Sequence, residues 1–210
     1  MRLFVSIDMP EKVCEVAVAA QQYLKRRNLF EGTYTDSAHA HMTVAFLADV
    51  DEAHLSDIDA ALCTVEPPNF QAHTGALDYF ARGDQVKIIF LSIICPPLVQ
   101  FVERVQAVLI PACAKAAVAF TPVFASGVHR KRAKAKSGFA GLAPDRRPFH
   151  PHITLARVKH SQDYEKFRHE LVGYVVPRID FVIDRFHLKE SVLTSAGPIH
   201  TIRTSYPCIK

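Results

Sequence analysis

Two short segments of the chain, "HMTV" at 41–44 and "HITL" at 152–155, repeat one order of residue types: histidine, apolar, threonine, apolar. In a β-strand, side chains at positions i and i+2 point to the same face. Each segment therefore places an imidazole and a hydroxyl on one face and apolar side chains on the other. The apolar faces fit a core beneath covering helices, so both segments are predicted to be strands with one buried and one polar face.

The residues after each motif extend the pattern. Two positions beyond Thr43 and Thr154 the chain has alanine in both segments, Ala45 and Ala156. Under strict alternation these alanines share the face of the histidines, where a small side chain leaves room beside the imidazole. Each strand is thus predicted to present an imidazole, a hydroxyl and a gap on one side.

Hydrophobic periodicity predicts strands and helices in an order that ends with three successive strands. Such a run suits antiparallel pairing, so an α+β fold is favoured over a doubly wound parallel sheet. The strand–helix units at 39–63 and 149–172 suggest two related lobes. Strands are predicted over 2–8, 39–47, 70–80, 86–94, 149–157, 175–183, 186–193 and 199–206, and helices after Pro10, after Asp51, along Leu98–Ala112 (where Pro111 should kink or end the helix) and over 161–172.

Composition places the chain among ordered globular proteins. Its 210 residues are 49% hydrophobic and 22% charged, and the formal net charge is only +4. Five scattered cysteines without a Cys-x-x-Cys pair argue against a disulfide framework and favour a reducing cytosol. The start "MRLFVSIDMP" does not resemble a signal peptide, and no apolar run is long enough for a membrane span. We expect a cytoplasmic protein without membrane association.

Two histidines that face one cleft suit in-line displacement at phosphorus. A neutral imidazole takes a proton from the attacking water, while an opposite imidazolium donates a proton to the departing oxygen. The threonine hydroxyls can donate to the non-bridging phosphate oxygens, where charge accumulates. Neither motif has the carboxylate or cysteine neighbours of a typical zinc site, so no metal or other cofactor is expected.

These motifs, with the start "RLFVSID", the stretch "RPFHPHITLAR" at 147–157 and the close "RFHLKESVLTSAGPIHTIRTSYP", resemble the 2H phosphoesterase superfamily. The similarity is greatest to its RNA 2′,3′-cyclic phosphodiesterase branch, once described as 2′-5′ RNA ligases. It covers most of the chain. The resemblance implies a bilobal α+β fold with two antiparallel sheets, helices on their outer faces and a central cleft. We expect one such domain over 1–210, acting as a monomer.

The resemblance also implies an activity: metal-independent opening of an RNA 2′,3′-cyclic phosphate end to a 2′-phosphomonoester. RNA or oligonucleotide ends and small cyclic nucleotides are the implied substrates. In this family the first histidine is usually the proton donor and the second the proton acceptor, which corresponds to His41 and His152. Thr43 and Thr154 would hold the phosphate.

The family places an arginine near the phosphate after the second motif, which corresponds to Arg157. Strict alternation puts Arg157 on the face opposite His152 and Thr154. A β-bulge or the end of the strand must therefore redirect Arg157, or it does not touch the ligand. The other nine histidines do not share the motif context, and His39 and His150 are interpreted as rim or structural residues.

The chain departs from the family pattern over 115–146, predicted to be a loop-rich insertion with a basic cluster. This cluster is either a solvated loop or a flap that grips RNA phosphates. Its basic residues are Arg130, Lys131, Arg132, Lys134 and Lys136.

Four other functions remain open on the sequence. The same site suits a 2′-5′ RNA ligase or a 2′-5′ phosphodiesterase, because chemistry at a 2′-linked phosphate uses the same groups. Alternatively, the domain is a nucleotide-binding module without turnover, or it is an RNA-binding protein that relies on the basic segment 129–136.

Overall fold

The fold consists of two five-stranded antiparallel sheets, seen in a computed structural model that describes residues 1–82, 85–122, 149–161, 164–195 and 197–208. The strand order is β10-β9-β1-β3-β6 in the first sheet and β2-β7-β5-β4-β8 in the second. The strands are β1 (Arg2–Asp8), β2 (Phe30–Tyr34), β3 (His41–Asp49), β4 (Phe70–Arg82), β5 (Gln85–Ile94), β6 (Phe120–Pro122), β7 (His152–Ser161), β8 (Asp180–Ile183), β9 (Arg185–Thr194) and β10 (Gly197–Pro207).

The α-helices of the described residues pack on these sheets: α1 (Glu11–Arg27), α2 (Leu55–Cys63), α3 (Pro97–Lys115) and α4 (Tyr164–Val172). Helix α3 contacts β3 and β6 of the first sheet and also packs on α2, whereas α1 contacts β7 and α4 contacts β4 of the second sheet. Each sheet also takes strands from both halves of the chain. The two lobes are therefore interwoven, and α+β is the fold class, as predicted.

Helix α1 shows how the sequence specifies this packing. Val13, Ala17, Ala20 and Leu24 recur at helical spacing, and none of them is exposed to solvent. The helix ends at Asn28, whose left-handed backbone (φ 48°) suits asparagine and lets its N–H donate to the Leu24 carbonyl. The buried stripe faces the second sheet, so the helix covers the strand that carries the second His-x-Thr motif.

Most predicted elements are present, with shifts of up to four residues at their ends, and the differences beyond that are as follows. The strand predicted over 175–183 is confined to Asp180–Ile183. Strands β2 and β6 were not predicted, because both are short and lie at sheet edges, where pairing with a neighbour rather than periodicity makes the strand. Helix α3 does not end at Pro111 but continues to Lys115. Burial of Leu109 and Cys113 on either side of the proline holds that last turn on the core. Most of the predicted insertion, including the basic cluster, lies outside the described residues.

Edge strand β2 approaches β7 unusually closely at Gly32. A Cβ atom built on Gly32 would lie 2.2 Å from the backbone carbonyl oxygen of Arg157 and 3.1 Å from its carbonyl carbon. Only glycine lets the two backbones meet at this distance. The position of the β7 backbone near Arg157 thus depends on the absence of a side chain in β2.

We predict that Gly32→Ala destabilises the protein by about 1–3 kcal/mol, because a methyl group overlaps a backbone atom that has no room to move. Denaturant unfolding measures this change. Glu31→Ala, at the neighbouring exposed position of the same strand, is the matched control and should change stability by less than about 0.5 kcal/mol. Equal stability of the Gly32 variant and the control would contradict the prediction.

Candidate active site

The two His-x-Thr motifs occupy equivalent places in the two sheets. His41 is the first residue of β3 and His152 the first residue of β7, and both imidazoles are half-buried. The apolar residues of each motif are almost completely buried: Met42, Val44, Ile153 and Leu155. Strands β3 and β7 belong to different sheets yet contact each other. The strands that carry the two motifs, 111 positions apart in the sequence, are therefore neighbours in the fold.

Each motif histidine is held through the same ring nitrogen. Nδ1 of His152 lies 2.8 Å from the carbonyl oxygen of His150, and Nδ1 of His41 lies 3.4 Å from that of His39. A carbonyl only accepts, so in the neutral ring the proton resides on Nδ1 and the lone pair on Nε2. Nε2 is then the nitrogen available to take up or deliver a proton. His39 and His150 contribute to the site through their backbone.

A β-bulge follows the threonine in both strands. In β3, Thr43 pairs with Ser6 and Ala45 with the adjacent Val5, so Val44 is an extra residue. In β7, Thr154 pairs with Phe90 and Ala156 with the adjacent Ile89. Leu155 is therefore the extra residue there. A bulge reverses the alternation of faces beyond it.

The bulges overturn the predicted role of the alanines. Ala45 and Ala156 are both 0% exposed and belong to the hydrophobic core. They face away from the histidines and leave no gap beside them. Strict alternation failed as a guide here, because it assumes an unbroken ladder of pairs.

The same bulge turns Arg157 to the face that carries His152 and Thr154. Arg157 is exposed, while its neighbours Ala156 and Val158 are buried. Its charge acts on His152, where it lowers the pKa of the imidazole. The bulge thus redirects Arg157 to this face, and its contact with a phosphate stays a prediction. In β3 the equivalent position is Phe46, which is half-buried.

A charged cluster surrounds His41. Asp8 lies opposite His41 in the β1–β3 ladder, and its Oδ1 accepts a hydrogen bond of 2.5 Å from Nζ of the buried Lys189. The buried His187 extends this network, with Nδ1 2.9 Å from Oγ of Ser205 and Nε2 3.8 Å from Oδ2 of Asp8. These contacts satisfy a lysine and a histidine that burial would otherwise destabilise.

Two rings complete the surroundings of His41. The ring centroid of Phe4 is 5.3 Å away, and the exposed His200 approaches edge-on with a centroid distance of 5.2 Å. The pKa of His41 falls to about 4, primarily because burial disfavours the charged ring. The positive charges of Lys189 and His200 lower the pKa further, and the carboxylate of Asp8 opposes them.

The surroundings of His152 are mainly aromatic. Phe80 and Phe90 both lie with ring centroids 5.1 Å from the imidazole. The pKa of His152 also falls to about 4, again mainly through burial. The hydrogen bond to the His150 carbonyl opposes this shift, while the charges of His150 and Arg157 add to it. Both motif histidines are therefore neutral in the free protein at pH 7.

Sequence reasoning missed the groups around His41. Asp8 and Lys189 lie 181 positions apart and become neighbours only because β9 pairs with β1. His187 and His200 were set apart from the motifs, yet both join this region of the first sheet. The sequence contains one signal for the position of Asp8, because alternation along β1 places it on the face opposite the apolar Leu3, Val5 and Ile7.

Two further observations concern what the site could bind. Among the described residues, no group of three or more His, Cys, Asp or Glu side chains is arranged to hold a metal ion. Within the same residues, no helix is long and apolar enough to cross a membrane. A shallow groove along α1, lined by Glu11, Glu15 and Gln22 among others, is unsuited to a phosphate because carboxylates flank it.

The site and fold agree with one family of proteins. The family model for the 2′-5′ RNA ligase superfamily matches residues 10–192, which is most of the chain. The chain therefore belongs to the 2′-5′ RNA ligase superfamily, the group of 2H phosphoesterases that its motifs resemble.

Curated relatives match along nearly the whole chain. An RNA 2′,3′-cyclic phosphodiesterase of Thermotoga maritima is 27% identical over 204 residues, which cover 96% of this chain and 92% of the relative. A protein of the same name from Methanocaldococcus jannaschii is 23% identical over 203 residues, covering 96% and 98%.

Solved structures show the same fold. A protein of Thermus thermophilus superimposes with a TM-score of 0.67 at 21% identity, covering 99% of this chain and 98% of the other. E. coli LigT, crystallised with 3′-AMP, superimposes with a TM-score of 0.65 at 17% identity, covering 100% and 98%. The predicted fold with two antiparallel sheets is therefore confirmed.

The lowered pKa values of the histidines predict a loss of stability in acid. His41 and His152 have a pKa of about 4 in the folded protein and about 6.5 in an unfolded chain. Between these pH values the unfolded chain binds more protons, so stability falls as pH decreases from 6.5 to 4. The upper bound on this loss is about 3 kcal/mol for each histidine.

The double variant H41Q/H152Q should show a shallower fall in the free energy of unfolding over the same pH range. Chemical denaturation at pH 6.5, 5.5 and 4.5 measures the slope. His169→Gln removes an exposed histidine of α4 and serves as the control, which should keep the wild-type slope. A double variant as acid-sensitive as the control would contradict the lowered pKa values.

Proposed function

We propose that the protein hydrolyses RNA 2′,3′-cyclic phosphate ends to 2′-phosphomonoesters, with His41 as proton donor and His152 as proton acceptor. The observation that carries this proposal is the duplicated arrangement of the two motifs. Each supplies an imidazole held at Nδ1 and a threonine on the same face, and the two strands contact each other between the sheets. The names of the curated relatives support the substrate class.

The reaction needs two proton transfers on opposite sides of phosphorus. Nε2 of His152 accepts a proton from water as the water oxygen bonds to phosphorus. The bond from phosphorus to the ribose 3′ oxygen breaks, and Nε2 of His41 protonates that oxygen. The products are a 2′-phosphomonoester and a free 3′ hydroxyl, and no metal or other cofactor takes part.

The threonines and Arg157 stabilise the charge that develops on phosphate. Within the described residues, neither threonine side chain has a hydrogen-bonding partner, so both hydroxyls are free to donate to non-bridging oxygens. Arg157 follows on the face of His152 and adds a guanidinium, whose geometry suits a phosphate. Thr43, Thr154 and Arg157 together would hold the phosphate while the histidines move protons.

Because both histidines are neutral in the free protein, the bound substrate has a second role, which is to favour protonation of His41. An acid is needed at His41, yet its pKa in the free protein is about 4. A phosphodiester anion bound beside the ring stabilises the imidazolium and raises this pKa. In the free protein the carboxylate of Asp8 favours protonated His41, but burial and the positive charges of Lys189 and His200 outweigh it, and Arg157 favours the neutral base at His152. The acid at His41 therefore depends on the bound substrate.

The proposal also includes the oligomeric state and the cellular compartment. We expect the protein to act as a monomer in the cytosol. All five cysteines are free thiols, which suits a reducing compartment.

We predict that His41→Ala and His152→Ala each lower kcat/KM for a 2′,3′-cyclic phosphate by at least about 100-fold, because each removes one proton transfer. EDTA should leave the activity of the unaltered protein unchanged. His169→Ala is the matched histidine control. Undiminished turnover in either motif variant would refute the proposed mechanism, and inhibition by EDTA would refute its metal independence.

The family name points to a second candidate, joining or cleaving a 2′-5′ phosphodiester linkage. Assays on three substrates separate the activities: a 2′,3′-cyclic nucleotide, a 2′-5′-linked dinucleotide, and pairs of RNA fragments whose ends can be joined. We expect the cyclic phosphate to have the largest kcat/KM. A larger value for the 2′-5′ linkage would make that activity the main one, and binding without any turnover would favour a non-catalytic nucleotide-binding module.

A further inference from the structure

The bulge in β7 decides whether Arg157 faces the cleft, so the groups that hold this bulge matter to the site. In a regular strand, successive carbonyl groups point to opposite neighbours. Here the carbonyls of Thr154 and Leu155 both point to Thr35. Its Oγ1 lies 2.5 Å from the oxygen of Thr154 and 3.1 Å from that of Leu155, and its backbone N–H donates to Leu155 at 3.0 Å.

A buried glutamine of helix α1, which packs on β7, adds hydrogen bonds to the same segment. Gln21 of α1 is only 6% exposed, and its Nε2 donates to the carbonyl oxygens of Leu155 and Thr35, both at 2.8 Å. Both N–H groups of the amide are thereby used. The side chain ties together α1, the segment after β2 and the bulge of β7. We call Gln21 and Thr35 the bulge clamp.

The hydrogen bonds of the bulge clamp disfavour a β7 strand that lacks the bulge. Without the extra residue, alternation would continue through Leu155 and place Arg157 on the buried face. The bulge directs two carbonyls to one side, and they require donors because an unpaired buried carbonyl is costly. Thr35 donates to both carbonyls, and Gln21 adds a further donor to Leu155 from outside the sheet while its bond to the Thr35 carbonyl holds Thr35 in place.

We propose that Gln21 is a positioning residue for the active site, which holds the β7 bulge so that Arg157 faces the phosphate together with His152 and Thr154. The inference rests on the proposed function for its effect on turnover. Its structural part, the direction of Arg157, stands independently of any activity. Gln21 itself lies behind the sheet and touches no substrate.

The variant Gln21→Leu keeps the size and burial of the side chain but removes both donors. We expect kcat/KM for a 2′,3′-cyclic phosphate to fall at least about tenfold. In a protein that already carries Arg157→Ala, the same change should cost less than about threefold, since residues that act as a unit are not additive. Thr35→Val tests the other half of the clamp and should behave in the same way.

Gln22→Leu is the matched control, because Gln22 is the adjacent residue of α1 and is exposed. It should retain wild-type kcat/KM. Thermal unfolding of each variant identifies loss of the fold. A folded Gln21→Leu protein with wild-type turnover would overturn the proposal, and so would a loss of turnover that is fully additive with Arg157→Ala.

A second measurement does not depend on activity. The charges that act on His152 are those of His150 and Arg157, and Arg157 lowers its pKa. If the bulge relaxes and Arg157 turns away, the pKa of His152 in the free protein rises. NMR titration should show this rise in Gln21→Leu and in Arg157→Ala but not in Gln22→Leu.

The two measurements separate the possible failures. If the unaltered protein hydrolyses none of the substrates but the titration shows the expected rise, the proposed function fails and the positioning role stands. A His152 pKa that moves in Arg157→Ala and stays unchanged in Gln21→Leu would overturn the role of Gln21, whatever the activity.

Discussion

One extra residue in each of two strands is the constraint on which this site depends. Up to the threonine, β3 and β7 follow strict alternation, and the histidine and threonine share a face by local geometry alone. Beyond the threonine the bulge inverts the pattern. It buries Ala45 and Ala156 in the core and brings Phe46 and Arg157 to the face of the histidines. The protein thus combines a closed core with a row of functional side chains that simple alternation does not allow.

The two halves of the site are alike in backbone and different in charge. Both imidazoles are held at Nδ1 by a carbonyl two residues earlier and made neutral by burial. Around them the fold sets different groups: Asp8 and Lys189 on the side of His41, and Phe80, Phe90 and Arg157 on the side of His152. The two halves of the candidate site therefore share a backbone arrangement and differ in the groups that surround each histidine.

Interweaving of the lobes links the outer layers to the site. Helix α1 follows β1 of the first sheet but packs on β7 of the second, and its Gln21 reaches the bulge there. Edge strand β2 approaches the same stretch of β7 at Gly32. Residues outside the candidate site thereby contact the backbone of the strand that carries His152 and Thr154.

The sequence by itself determined the two motifs, the face shared by each histidine and threonine, most strands and helices, and the α+β class, because these follow from local periodicity and spacing. It also showed that Arg157 needs a bulge or the end of the strand to reach the face of His152. Tertiary structure alone decided that the bulge exists, that Lys189 meets Asp8 and that Gln21 supports β7. These outcomes depend on pairing between strands distant in the chain, and a shift of one residue in that pairing changes which face every later side chain occupies.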